Sequence, residues 1–144
     1  MRYIGLDLGT RTVGVAYSDL SGTIALADQT YRFNEKDRAK TLESALKYVK
    51  IVVEEKKGEK IVLGLPKNMD GSIGFQAQYC LDFKAMLEEH IKLPVIMIDE
   101  RMTSRMAHNT MLKADMSRNK RKQNVDKLAA TIILQSYLDS LPKY

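Results

Sequence analysis

Tyr3-Ile4-Gly5-Leu6-Asp7-Leu8-Gly9-Thr10-Arg11-Thr12-Val13-Gly14-Val15-Ala16-Tyr17 is the stretch from which the fold can be read. It describes a strand, a tight turn and a second strand, with one acid inside an apolar run. Ile4, Leu6 and Leu8 alternate onto one face, and Tyr3, Gly5 and Asp7 share the other. A carboxylate within a strand loses hydration and needs a partner that compensates for the loss. Gly5 and Gly9 flank it, which reads as clearance over Asp7 for a metal and a phosphate as well as turn chemistry.

Working outward, a third and weaker strand is expected over residues 24–33 after the Ser21-Gly22 turn, giving an antiparallel meander. Asn34 is placed to cap a helix whose Ala39, Leu42, Leu46, Val49 and Val53 recur at helical spacing, with Gly58 ending it. Ile61-Val62-Leu63-Gly64-Leu65 is a continuous apolar strand of the kind buried on both faces. A turn-rich loop over residues 66–72 precedes a helix striped by Phe75, Tyr79, Phe83, Leu87 and Ile91, where Cys80 and His90 read as ordinary packing residues.

Val95-Ile96-Met97-Ile98-Asp99 is the fifth strand, and Thr103 or Ser104 can cap a short helix to about Leu112. His108 on that helix lacks a second ligand-type residue one turn on, which argues against a metal there. The last helix is expected from about Gln123 to Leu138, after a partly mobile basic segment. A meander followed by two crossover units gives an α/β fold: one central mixed five-stranded sheet with helices on both faces. The first strand must be central, and ligands in such sheets bind beyond the carboxyl ends of the parallel strands.

The 144 residues suffice for one domain, taken as residues 1–144, and 44% are apolar, a globular composition. No run approaches the ~20 apolar residues of a membrane span. A lone cysteine, Cys80, and a strand beginning at once point to a cytoplasmic chain without a signal peptide. Net charge is +5 with a pI near 9.3. Between Lys113 and Lys127 six cations face two carboxylates, a local +4, which suits a polyanionic partner.

Among 18 acids, three stand out by context. Asp7 lies in the first strand, Glu100 ends the last strand beside Asp99, and Asp126 opens the last helix. Asp126 shares a helical face with Ala129, Ala130 and Ile133, whose small members let the helix lie close to the sheet. Carboxylates gathered in this way need protons or cations to coexist. Oxygen ligands without His or Cys fit Mg²⁺ or Mn²⁺, and such ions support phosphodiester hydrolysis.

Four stretches together carry a resemblance: Gly5-Leu6-Asp7-Leu8-Gly9-Thr10 with Val13-Gly14-Val15-Ala16; Val62-Leu63-Gly64-Leu65-Pro66-Lys67-Asn68-Met69-Asp70-Gly71; Asp99-Glu100-Arg101-Met102-Thr103-Ser104; and Asp126-Lys127-Leu128-Ala129-Ala130. The chain resembles the YqgF (RuvX) family, in the RuvC-like branch of the ribonuclease H superfamily. That resemblance implies a ribonuclease H-like fold and a divalent-metal nuclease. Family members are described as Holliday junction resolvases and as nucleases maturing the 5′ end of pre-16S rRNA. Asp7, Glu100 and Asp126 match the family's acidic positions. RuvC itself carries an acid near the end of the fourth strand, where this chain has Gly64-Leu65-Pro66, so Glu100 would have to substitute.

The working expectation is hydrolysis of a nucleic-acid phosphodiester, with Asp7, Glu100 and Asp126 holding the metal. Lys67, Arg118, Lys120, Arg121 and Lys122 would contact phosphates, and Arg101 would orient Glu100 or the scissile group. Structured RNA is preferred over branched DNA on family grounds, with recognition through backbone and shape. A monomer and a homodimer are both compatible with the sequence. Two rivals exist. The Asp-Leu-Gly-Thr turn also occurs in actin-like ATPases, but these need two such domains. A non-catalytic nucleic-acid-binding module would use the basic segment and treat the acids as structural.

Overall fold

The computed structural model describes residues 1–101 and 118–142, with side chains for 1–101 and 128–142. The short helix expected near residues 103–112, with His108, and the cation Lys113 lie outside the described residues. The alternation in the opening stretch produces β1 (Tyr3–Leu8) and β2 (Thr12–Ser18). They pair antiparallel with Asp7 opposite Gly14, and the Gly9 amide donates to the Thr12 carbonyl at 2.8 Å to close the turn. β3 (Ala25–Arg32) completes the meander, with a register irregularity between Gly14 and Ala16.

β4 (Lys60–Leu65) and β5 (Val95–Asp99) join in parallel, giving the order β3-β2-β1-β4-β5 with β1 in the centre. The expected mixed sheet is the observed one. α1 (Arg38–Lys56) and α2 (Phe75–His90) cover one face. There Ile4, Leu6, Leu8, Ile61 and Leu63 pack with Val49, Cys80, Phe83 and Leu87. Complete burial of such side chains contributes about 1.5–3 kcal/mol each. The opposite face carries Tyr3, Ala16 and Val62 under α3 (Arg118–Ser140), through Ala130, Ile133, Leu134 and Tyr137. The two faces of β1 therefore belong to two separate cores, as the alternation requires.

Several boundaries differ from the sequence reading. Asp37, not Asn34, caps α1: its Oδ1 accepts from the Ala39 amide at 2.9 Å, and its own backbone is extended. Asn34 follows Phe33 too closely, because the chain must first leave the strand. At the other end Lys57 takes the left-handed conformation, and the Gly58 amide closes onto the Val53 carbonyl at 2.9 Å. α3 is already helical at Arg118, ahead of the expected Gln123, so Arg118, Lys120, Arg121 and Lys122 lie on the helix. Phe75 does not join the buried stripe of α2; it is 79% exposed. His90 is exposed at the helix end, whereas Cys80 is fully buried. Among the described residues, no helix is long and apolar enough to cross a membrane.

Candidate active site

Asp7 is the penultimate residue of β1 and half-buried. Parallel pairing ends at Leu6 with Leu63, so the next rung sets Asp7 beside Gly64. Gly64 pairs in turn with Ile98 and Leu65 with Asp99, which carries the chain into Glu100 just past the edge of the sheet. Glu100 folds back over Gly64. A Cβ there would lie 2.6 Å from Glu100 Oε1 and 2.7 Å from Ile133 Cδ1. The acid from beyond the fifth strand thereby fills the space above the end of the fourth. An isolated glycine inside a buried strand signals such a close approach, and Gly64 offered that signal in the sequence.

Asp7 and Glu100 meet. Burial first, then a hydrogen bond and charge repulsion from Asp7, hold the Glu100 carboxyl far above the ordinary carboxyl range. The two side chains thus share a proton at neutral pH, the arrangement expected of carboxylates forced together without a cation. Cys80 lies within their field. Burial, with Glu100 and Asp7 adding to it, pushes its thiol up to about 12, so it remains a neutral packing group.

The glycines beside Asp7 do not provide the clearance expected of them. Gly5 is covered by α3: a Cβ there would come 2.7 Å from Leu134 Cβ and 3.0 Å from the Ala130 carbonyl oxygen. Gly9 serves the turn. Close approach at Gly5 and the edge contact between the Tyr3 and Tyr137 rings align α3 against β1, with later helix residues over earlier strand residues. Position 126, one helical turn before Ala130, is therefore carried toward the Asp7 end of β1. The Asp126 side chain, like those of Arg118, Lys120, Arg121 and Lys122, lies outside the described residues.

Arg101 grips Asp99. Its Nε and Nη2 donate to Asp99 Oδ2 at 2.9 and 2.6 Å, and its amide donates to Oδ1 at 3.0 Å. These bonds bring the Asp99 carboxyl down to about 2, with Lys67 adding attraction. Asp99 is thus occupied by Arg101, and the acid presented to Asp7 is Glu100. Lys67 lies just past β4, in the loop that carries Gly71, where an added Cβ would lie 3.4 Å from Arg101 Nη1. Gln76, not singled out in the sequence, donates from Nε2 to the Leu8 carbonyl at 3.0 Å and ties α2 to the end of β1.

Among the described residues no three metal-ligating side chains cluster, and Asp126 lies outside that set. The pair that is described consists of hard oxygen donors already crowded enough to retain a proton, which fits a divalent cation of the Mg²⁺ or Mn²⁺ type.

A sheet of this order with helices on both faces, and acids meeting at the edge of its parallel half, defines a ribonuclease H-like domain of the RuvC type. Solved structures agree at the level of fold. RuvC of T. thermophilus in complex with Holliday junction substrate superposes with a TM-score of 0.64 at 12% identity, covering 97% of each chain. The yeast mitochondrial Holliday junction resolvase Ydc2 gives 0.53 at 11% identity, over 95% of this chain and 80% of that one. A family model described as "RuvX: Holliday junction resolvase" matches residues 1–140. A "Putative pre-16S rRNA nuclease" of Caldanaerobacter subterraneus subsp. tengcongensis is 48% identical over 141 residues, 97% of each chain. The chain belongs to the RuvX (YqgF) family and is a nuclease.

Proposed function

We propose that this protein hydrolyses RNA phosphodiesters with a divalent metal and that its physiological reaction is 5′-end processing of pre-16S rRNA. The observation that carries the reading is the meeting of Asp7 and Glu100 beyond the parallel strand ends. The name of the 48%-identical relative, which aligns over nearly the whole chain, supports the substrate. Asp7, Glu100 and Asp126 hold the metal. When bound, Mg²⁺ or Mn²⁺ polarises the phosphate and neutralises charge developing on its oxygens.

The chain's own residues do the rest. Lys67, Arg118, Lys120, Arg121 and Lys122 contact phosphates flanking the scissile bond. Arg101, fixed on Asp99, would orient Glu100 or the scissile group. Hydrolysis adds water across one P–O bond, leaving a phosphate on one fragment and a hydroxyl on the other. Recognition rests on backbone and RNA shape. Ribosome precursors as substrate imply a cytoplasmic setting.

A second reading, resolution of branched DNA, draws support from the description of the family model. Cutting two strands symmetrically would favour a two-fold dimer. A metal-dependent cleavage panel comparing pre-16S rRNA 5′ ends with four-way DNA junctions separates the two. Asp7→Ala, Glu100→Ala and Asp126→Ala should each lose more than the ~10–100-fold typical of removing a group that merely orients a ligand. If folded variants cut as well as the parent, the assignment of these acids is wrong.

A further inference from the structure

We infer that Arg11, Lys36 and Arg38 form a second phosphate-binding cleft that holds the substrate strand beside the active site. This rests on the nuclease reading above and extends its binding surface to residues on the opposite side of β1 from α3. The cleft has a volume of ≈ 230 Å³ and lies between the β1–β2 turn, the segment entering α1 and the start of α2. Arg11 sits in the turn, where its carbonyl accepts from the Phe33 amide at 2.8 Å. Lys36 precedes the cap of α1, and Arg38 is the first residue of that helix. Gln76 lines the same cleft and reaches the Leu8 carbonyl, so its wall is continuous with the strand end that bears Asp7.

Three features distinguish this cluster from a solvated charged face. First, Arg38 is held in place: its guanidinium carbon lies 3.8 Å from the centre of the Phe75 ring and 4.0 Å from that of Tyr79. Stacking between two rings immobilises a side chain that would otherwise sweep through many rotamers. It also explains why Phe75 leaves the core and stands 79% exposed. Phe75 and Tyr79 are positioning residues.

Second, the cations are unpaired. Among the described residues no carboxylate forms an ion pair with Arg11, Lys36 or Arg38. Arg38 Nη2 is buried without a hydrogen-bond partner. Glu35, the acid lining the cleft, receives a bond from the Ser44 hydroxyl at 3.3 Å, and Asp82 behind Arg38 receives one from Gln78 at 3.0 Å. Three cations against the one carboxylate of Glu35 leave the cleft net positive, which favours an anion.

Third, the cleft has room for the ligand: its ≈ 230 Å³ readily admits a phosphate group. A phosphodiester fits there while the rest of the strand remains outside, continuing toward Asp7.

The test is binding of the full-length chain to a labelled RNA carrying a pre-16S rRNA 5′ end, in chelator, across a salt titration. Arg11→Gln, Lys36→Gln and Arg38→Gln should each lower the slope of log affinity against log salt by about 0.7, and the triple variant by about 2. Arg38→Lys should keep the slope, because it keeps the charge. In cleavage assays the loss should fall on KM. Arg11 and Lys36 are exposed, so their variants report on the cleft even if Arg38→Gln impairs folding.

Unchanged slopes in Arg11→Gln and Lys36→Gln would overturn the inference. So would inorganic phosphate that binds the cleft, lost in the triple variant, while RNA slopes stay at the parent value; that would mark a free-anion site. A parent protein that cleaves neither substrate with metal would instead sink the nuclease reading, and the chelator arm reads independently of it.

Discussion

The Glu100 carboxylate occupies the space that a side chain at position 64 would need, its Oε1 2.6 Å from where a Cβ of Gly64 would stand. The fourth strand gives up its side chain so that an acid from beyond the fifth can reach Asp7. Gly64→Ala should therefore act at a distance from the chemistry it disturbs. The added methyl also meets Ile133 Cδ1 at 2.7 Å, so the variant should lose about 1–3 kcal/mol of stability. With Glu100 displaced, cleavage should fall by more than ~10-fold. Steady-state kinetics beside a urea titration would check both, and full activity would show that Glu100 need not lie over Gly64.

A proton held between Glu100 and Asp7 has a thermodynamic signature. The native Glu100 carboxyl lies far above its unfolded value, so above the ordinary carboxyl range the native chain binds more protons than the unfolded one. Stability of the metal-free protein should therefore fall as pH rises from that range, until the native pair gives up its proton. Glu100→Gln removes the ionisation and should flatten this decline, so in chelator at neutral pH the variant should be the more stable. Added Mg²⁺ should reverse the order, stabilising the parent more. Denaturation at a series of pH values, with and without metal, decides it; a parent that gains stability toward alkaline pH would contradict the shared proton.

Gly5→Ala tests the docking of α3. Its Cβ would strike Leu134 Cβ and the Ala130 carbonyl oxygen, and backbone cannot swing aside as a long side chain can. A loss of about 1–3 kcal/mol is expected in denaturant titration. Because the same contact sets the level of position 126 against β1, cleavage should suffer as well. A neutral outcome would mean that α3 shifts freely on the sheet.

Much of the fold was legible because burial enforces it. β1 alternates between two cores, and the continuous apolar run of β4 is covered on both faces. Ends of elements were less legible, since they depend on where the chain can turn: Asp37 instead of Asn34 caps α1, and α3 reaches back to Arg118. Within the site, Asp7 and Glu100 could be singled out as acids in unusual places. The glycines could not be read correctly from sequence. Gly5 looked like room for a metal and is room for a helix, while Gly64 looked like part of an apolar strand and is room for a carboxylate. A missing side chain reveals that something approaches closely, but only the tertiary structure says what. Arg38 was hidden for a related reason, because its two ring partners lie on another helix.

The chain order of the site has a consequence for biosynthesis. Asp7 emerges from the ribosome with the first strand, whereas Glu100 follows the last strand, and the two meet only through β4, which must already lie between β1 and β5. Such pairing between distant segments forms late, after the entropy of closing long loops has been overcome. A partly synthesised or partly folded copy therefore holds one acid without its mate. By this wiring the active site of the nuclease stays incomplete until its own sheet has closed.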